Sequence, residues 1–430
     1  MSEAQPVLRV AAISYHTCPL EPPGTGDSGG LNVFVLSLAQ ALARRGARVD
    51  IYTRKSVSEA AHVVIAGPGV RVIHVEAGPP RSLSKIELAS YRWEFAEGVA
   101  RYAERCFLPY DVVHSHYWMS GPAALRLALP SGAAHFHTFH TLQVAKEMAG
   151  ASSGSALALE RRKLEAELVT RADLLTASTR YEADILKDAY GASEAKIAIL
   201  PPGYDPAVFD PHGSGRRSSF SMTSPALDRL LNTSSPLVVA AGRIQPLKGF
   251  ELAVEAVDRM RSLYPYLANT GFVICGGPSG EDGDKELQRL QAAISSTRDP
   301  SRTLLAGPVG RRELADILRR ADTLLVTSKT ESFGMIALEA LACGTPVVAT
   351  DSGGVSEIVD NGVTGVVISS REPEALARAL GELLSSPQRL RKMGREAARS
   401  VGHLTWDRVA EAFLNTYLEI SDSASAGGLL

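Results

Sequence analysis

The residues best placed to do chemistry are two glutamates, Glu331 and Glu339, in the stretch Thr330 to Gly354, TESFGMIALEALACGTPVVATDSGG. The pattern predicts a polar turn, a helix over Phe333 to Cys343, a C-terminal cap at Gly344, and an exit through Pro346 into the strand VVAT. One glutamate falls in the entry loop and the other between one and two turns into the helix. A helix that begins with Phe333, Gly334 and Met335 presents backbone N–H groups and a positive dipole end, a setting that suits a phosphate. Glu339 lies among Ala337, Leu338, Ala340 and Leu341, apolar company in which a carboxylate needs a partner, although surface charge is the plain alternative. A glycosidase would also use two carboxylates, set roughly 5 to 10 Å apart across a scissile bond. Two carboxylates on one loop and helix more readily line one side of a ligand that carries a phosphate and hydroxyls, as a nucleotide sugar does.

Three further groups could join them. GRIQPLKG, Gly242 to Gly249, follows an apolar run and supplies Arg243 and Lys248 beside a helix start. There a diphosphate would be neutralised and its departure stabilised, whereas such a pair standing alone reads as solvated loop cations. GTGDSGGLN, Gly24 to Asn32, places Gly26, Gly29 and Gly30 where backbone can approach a ligand closely. Its spacing is neither GxGxxG nor GxxxxGK[ST], which disfavours a dinucleotide fold and an ATPase-type phosphate loop. By itself the loop is equally a plain turn; its position after the first strand, where doubly wound sheets bind ligands, favours a site. The histidines of HSHYW, from His114, and of HFHTFHT, from His135 to Thr141, invite a metal. On a strand, however, His135 and His137 share one face while His140 falls on the other or beyond it. No carboxylate or cysteine completes a ligand set, so core or substrate-facing histidines are expected and no metal site.

The elements that must position these groups follow from the whole chain. At 430 residues it exceeds one ordinary core, so two domains of roughly 200 residues are expected. A net charge of −2 gives no field to draw in a nucleic-acid backbone or an anionic membrane, and a small polar partner is expected instead. Cys18, Cys106, Cys275 and Cys343 are scattered without a CxxC pair, consistent with reduced thiols in a cytoplasm. The N-terminus has no signal-peptide pattern, and no apolar run approaches the roughly 20 residues that span a bilayer.

Strands are predicted at LRVAAIS, ARVDIYTR, VRVIHVEA, YDVVHSH, AAHFHTFH, ADLLTAS and KIAILPPG, with helices such as Leu31 to Arg45 between them. Pro201, Pro202 and Gly203 break the pattern, and the Pro-, Gly- and Ser-rich segment from Tyr204 to Pro225 starts as an inter-domain linker. The alternation then resumes through PLVVAAGR, GFVICGG, TLLAG, TLLVTS and VVAT. The reading is an α/β chain of two doubly wound halves. A last helix begins at Trp406, and SDSASAGGLL, residues 421–430, has the composition of a disordered tail.

Glu331 and Glu339, with Phe333 and Gly334 between them, resemble the E-x7-E signature of the large retaining glycosyltransferase family 4, which has the GT-B fold and includes sucrose-phosphate synthase and mannosyltransferases. GRIQPLKG and the Gly29, Gly30 loop match that family's other nucleotide-sugar motifs in order, and the resemblance covers nearly the whole chain. HTCPLEPPGTGDSGGLNV, AGPPRSLSKIEL, YDVVHSHYWMSG and HTFHTL more narrowly resemble the inositol-phosphate N-acetylglucosaminyltransferases that begin mycothiol synthesis. That resemblance implies an acceptor phosphate held by Lys85, Tyr117, Thr141 and Arg161, with Asn32 facing the inositol ring and His16 by a phosphate. It assigns the donor diphosphate to Gly30, Arg243 and Lys248, the sugar hydroxyls to His140, Glu331 and the backbone near Phe333 and Gly334, and the ribose to Glu339. The loop around Val309 carries no arginine where the relatives have GPR, which leaves uridine to backbone groups.

The resemblance therefore implies two Rossmann-like domains facing across a cleft. Residues 1–204 form the acceptor domain with a helix at 405–420 packing back on it, and 205–404 form the nucleotide-sugar domain. The expected reaction moves N-acetylglucosamine from UDP-GlcNAc, with retention, to inositol 1-phosphate, also numbered D-inositol 3-phosphate. A sucrose-phosphate-synthase-like transfer of glucose to a hexose phosphate is one alternative, and a non-catalytic sugar-nucleotide-binding module is another. No cofactor is required for catalysis, with room left for a structural Mg2+; the implied partners are the two small substrates and a second copy in a cytoplasmic homodimer.

Overall fold

The computed structural model describes residues 7–24, 26–150, 154–212, 225–280 and 282–427, with side chains to 421. Most of the expected linker, 213–224, and the last three residues of the expected tail lie outside the described residues. The chain divides into two compact units. The first comprises Met1–Glu21, Gly30–Pro202 and Trp406–Leu430, and the second Pro22–Gly29 and Gly203–Thr405.

In the first unit eight strands run in chain order as β1 (Arg9–Ile13), β2 (Arg48–Arg54), β3 (Val63–Gly67), β4 (Val70–Val75), β5 (Val112–His116), β6 (Ala134–Thr138), β7 (Leu174–Ala177) and β8 (Ile197–Ile199). They form one sheet ordered β3-β4-β2-β1-β5-β6-β7-β8, parallel except where β3 pairs antiparallel with β4. β3 is apolar in sequence, VVIAG, but lies at the sheet's edge, where Val63 and Ile65 are exposed. The second unit holds β9 (Leu237–Ala241), β10 (Gly271–Cys275), β11 (Thr303–Gly307), β12 (Thr323–Val326), β13 (Val347–Thr350) and β14 (Gly365–Ile368). These form an all-parallel sheet ordered β11-β10-β9-β12-β13-β14.

Both sheets are covered on two faces, as near-continuous apolar strands require. In β9 the alternation is direct: Leu237 and Val239 pack with the helix Met335–Ala342 side of the core. Val238 and Ala240 pack with the side that carries Phe250–Leu263 and Pro373–Leu384. In each sheet the chain reverses direction of winding beside its first strand, between β1 and β5 and between β9 and β12. The crevices at the carboxyl ends of those strands are where such sheets take ligands.

The last helix, Trp406–Gly427, belongs to the first unit. Trp406 and Phe413 meet Phe34 edge-on, the Tyr417 hydroxyl bonds His114 Nδ1 at 2.6 Å, and Arg44, the last residue of helix Gly30–Arg44, and Arg45 just after it pair with Asp407 and Glu411. The helix continues through Gly427, where composition alone predicted a disordered tail from 421. Serine and alanine there are compatible with either state, and a preceding docked helix favours continuation.

Candidate active site

Residues from four separate segments of the first unit gather around Tyr117. This residue follows β5 directly with φ 71° and ψ 148°, a region that costs a side-chain-bearing residue roughly 1–3 kcal/mol and persists only where surroundings enforce it. His140, just past the neighbouring β6, is likewise left-handed at φ 58°. Tyr117 is buried, yet its phenol is lowered to about 8: burial pushes it up, and the cations Arg161, Lys146 and Lys85 outweigh burial. The Arg161 guanidinium lies 5.0 Å over the Tyr117 ring, and its Nη1 donates to the Tyr117 hydroxyl at 3.4 Å. Arg161 Nη2 donates to Thr141 Oγ1 at 3.0 Å and to the Thr141 carbonyl. Lys85 opens the helix Lys85–Arg105 behind a Ser84–Glu87 capping box, and the His16 ring stacks 4.3 Å from Tyr117. The structure thus brings together Lys85, Tyr117, Thr141, Arg161 and His16. It adds Lys146, on the short helix Gln143–Met148, which carried no motif of its own.

Asn32, in the first turn of helix Gly30–Arg44, is buried and donates to Thr17 Oγ1 at 2.9 Å and to the Cys18 carbonyl at 2.6 Å. It shapes the loop after β1. Gly30 is the first residue of helix Gly30–Arg44.

The histidines split between the sheet faces. His135 and His137 share one face and both bond Ser115 Oγ, at 2.8 and 2.6 Å. His114 and His116 share the other face, where His116 Nδ1 lies 3.1 Å from His140 Nε2. Burial holds His140 down to about 3 and His114, His116 and His137 well below the ordinary range. They are neutral hydrogen-bonding groups near pH 7. Among the described residues no group of three or more His, Cys, Asp or Glu is arranged to hold a metal ion.

The second unit collects the other set. Gly249, at φ 65°, turns the chain after a short 3-10 turn Pro246–Lys248. A Cβ there would stand 2.5 Å from the Thr327 carbonyl, so glycine is required for the loop to seat against the end of β12. Lys248 Nζ then reaches Glu331 Oε1 at 2.5 Å, and Ser328 Oγ donates to the same oxygen at 2.6 Å. The Glu331 backbone is fixed to Ser352 and Gly354. Arg243 sits on the backbone carbonyl of Asp27 at 3.2 Å, with the Asp27 carboxylate 3.6 Å away. The glycine loop Pro22–Gly29 belongs to the same compact unit as Arg243.

The helix after Glu331 begins at Met335, with Gly334 as its left-handed N-cap at φ 98°. It ends in a Schellman closure, Thr345 N–H to the Ala340 carbonyl and Gly344 N–H to the Leu341 carbonyl, both 2.9 Å. Phe333 is buried at its start. Glu339 is buried too, and burial raises its carboxyl to about 7 against the opposing pull of Arg311. Arg311 Nη2 lies 3.5 Å from Glu339 Oε1, and its guanidinium is 5.2 Å over the Phe209 ring. A guanidinium does therefore stand beside this site, two residues past Val309, which packs on the same core. A distance in sequence between Arg311 and Glu339 hid the pair.

The family described as Glycosyltransferase Family 4 matches residues 28–208, and that described as Glycosyl transferases group 1 matches 228–400. A protein of Xylanimonas cellulosilytica named D-inositol 3-phosphate glycosyltransferase is 40% identical over 413 residues, 96% of each chain. One of the same name from Kineococcus radiotolerans is 39% identical over 442 residues, covering 100% of this chain and 99% of its own. Among solved structures, sucrose-phosphate synthase from Thermosynechococcus elongatus superposes with a TM-score of 0.86 at 26% identity, covering 97% of this chain and all of its own. WaaG, a glycosyltransferase of lipopolysaccharide biosynthesis, shares the fold at a TM-score of 0.69 and 18% identity over 95% of this chain and 99% of its own. No helix among the described residues is long and apolar enough to cross a membrane. With two parallel-sheet α/β units and full-length relatives at this identity, the chain is a glycosyltransferase of the GT-B fold and belongs to glycosyltransferase family 4.

Proposed function

We propose that the protein transfers N-acetylglucosamine from UDP-GlcNAc to D-inositol 3-phosphate with retention of anomeric configuration. The observation that carries the acceptor is the cluster of Lys85, Tyr117, Thr141 and Arg161 in the first unit. It offers charge-assisted donors to a phosphate monoester, and relatives at 40% and 39% identity carry that acceptor in their names. On the donor side, Arg243 and Lys248 take the diphosphate with the start of the helix after Gly30. Glu331, His140 and the backbone at Phe333 and Gly334 take the sugar hydroxyls, Glu339 the ribose and the chain near Val309 the base.

In this reading attack is from the front face. The bond from sugar C1 to the β-phosphate oxygen breaks, the bond from C1 to the acceptor oxygen forms, and the acceptor's proton passes to the departing phosphate. The protein's part is to position the substrates and stabilise the charge that grows on UDP. The reaction runs without a catalytic metal, in the cytoplasm, in a homodimer of 45.8 kDa chains. Unchanged rates in EDTA and sedimentation at twice the chain mass are the expected results.

The test is to offer UDP-GlcNAc, UDP-glucose and GDP-mannose against D-inositol 3-phosphate, glucose 6-phosphate and fructose 6-phosphate. Product mass and the anomeric coupling constant identify what forms. An α-linked N-acetylglucosaminyl inositol phosphate is expected. Glucose transferred to a hexose phosphate would replace this reading with the sucrose-phosphate type, and donor binding without UDP release under any acceptor would leave a binding module.

A further inference from the structure

Glu165 is fully buried in the helix Ala156–Arg171, has no contact with solvent, and belongs to none of the motifs discussed above. Both of its oxygens accept hydrogen bonds. Arg161 Nε donates to Oε1 at 2.7 Å. The Gln143 backbone N–H lies 3.2 Å from Oε1 and 3.0 Å from Oε2, and the Tyr190 hydroxyl donates to Oε2. One carboxylate therefore ties the guanidinium of Arg161 to the first residue of the helix Gln143–Met148, which carries Lys146. It also ties both to the end of the helix Arg180–Tyr190. With Nε engaged from behind, the guanidinium plane is fixed, and its Nη1 and Nη2 edges are turned to Tyr117 and Thr141.

We infer that Glu165 is a positioning residue for the acceptor's phosphate: it sets the direction of the Arg161 fork and the place of Lys146, and so the selectivity for a phosphorylated over an unphosphorylated polyol. This rests on the assignment of Arg161 to the acceptor phosphate. The physical basis is that a buried carboxylate with both oxygens accepting hydrogen bonds is costly to disturb, while a guanidinium released from it turns among other acceptors. Replacing Glu165 by Gln keeps its shape but sets an amide N–H against one of the three donors that now point at it.

The experiment compares wild type, E165Q, Y190F and R161A with saturating UDP-GlcNAc, using D-inositol 3-phosphate and free inositol as acceptors. E165Q is expected to raise the KM for D-inositol 3-phosphate at least tenfold while kcat and the UDP-GlcNAc KM change less than twofold. The preference for the phosphorylated acceptor falls by the same factor. Y190F removes one bond to Glu165 without uncovering a charge, and is expected to move the same KM by about two- to fivefold. It serves in place of E165Q if that variant does not fold. A merely structural role would lower kcat for both acceptors together and leave their ratio unchanged, which would overturn the inference. If R161A raises the acceptor KM while E165Q and Y190F leave it unmoved, the inference fails and the proposed function stands. If R161A itself leaves the acceptor KM unchanged, the phosphate assignment fails and takes the inference with it.

Discussion

The two polar clusters differ in how their charges are balanced. In the second unit every cation of interest already faces an acidic partner: Lys248 with Glu331, Arg243 with Asp27, and Arg311 with Glu339. In the first unit Arg161, Lys146 and Lys85 together draw the Tyr117 phenol below its ordinary value in spite of its burial. The acidic group on Arg161, Glu165, engages it from the side away from Tyr117 and Thr141. On the proposed assignment the first cluster would receive a compact anion through three cations gathered around one phenol, one of which, Arg161, is also paired with Glu165. In the second, a diphosphate has to share or displace carboxylates, which then become free to accept hydroxyls. A nucleotide sugar brings both the anion and the hydroxyls.

The largest expected effect tests the donor side of this contrast. Lys248→Ala should lower kcat by about 10²–10³, the scale of losing one donor to a developing oxyanion, with the acceptor KM within threefold in steady-state kinetics. Arg161→Ala should do the reverse, raising the acceptor KM about 10- to 100-fold, as for loss of a charged hydrogen bond of roughly 1.5–3 kcal/mol. The donor KM should hold. If either variant shows the other's pattern, the division of labour between the clusters is wrong. Glu331→Gln sharpens the comparison further. It releases Lys248, so calorimetric binding of UDP alone should tighten by about threefold to tenfold, the worth of roughly 1 kcal/mol for a partly exposed pair, while sugar transfer slows.

The smallest effect is on pH. Burial sets the Glu339 carboxyl at about 7, with Arg311 opposing. Ribose hydroxyls donate best to the ionised form, so UDP affinity should rise by up to about tenfold from pH 6 to 8, and Glu339→Gln should flatten that profile. Stability runs the other way. The folded value lies above the ordinary glutamate value of 4.5, so this group's contribution is full below about 4.5 and is lost as pH rises through 7. Thermal melts of the ligand-free protein should show that opposite trend.

The alternation of apolar strands and helices made both sheets legible, as did the cap at Gly344, because each depends on neighbours in sequence. The edge strand β3, VVIAG, is not among the predicted strands although it is apolar: it is five residues long and stands only two residues before β4, so the pair reads as one strand signal. The types at Lys85, Tyr117, Thr141 and Arg161 came from motif resemblance, and only the fold brings them into one place. Asp27, Lys146, Glu165 and Arg311 were not legible because their roles are tertiary. Glu165 reads as an ordinary (i, i+4) partner of Arg161 on a charged helix until its burial is known. The left-handed backbones of Tyr117 and His140 also have no sequence signal, since nothing in either residue type favours them.

On the function proposed, the first unit reads the phosphate of its acceptor. The most direct measurement is kcat/KM for D-inositol 3-phosphate against free inositol, with the wild-type protein at saturating UDP-GlcNAc and constant ionic strength. A preference of at least about 100-fold for the phosphorylated acceptor is expected, as two or more charge-assisted contacts should give. Equal values for the two acceptors would contradict it.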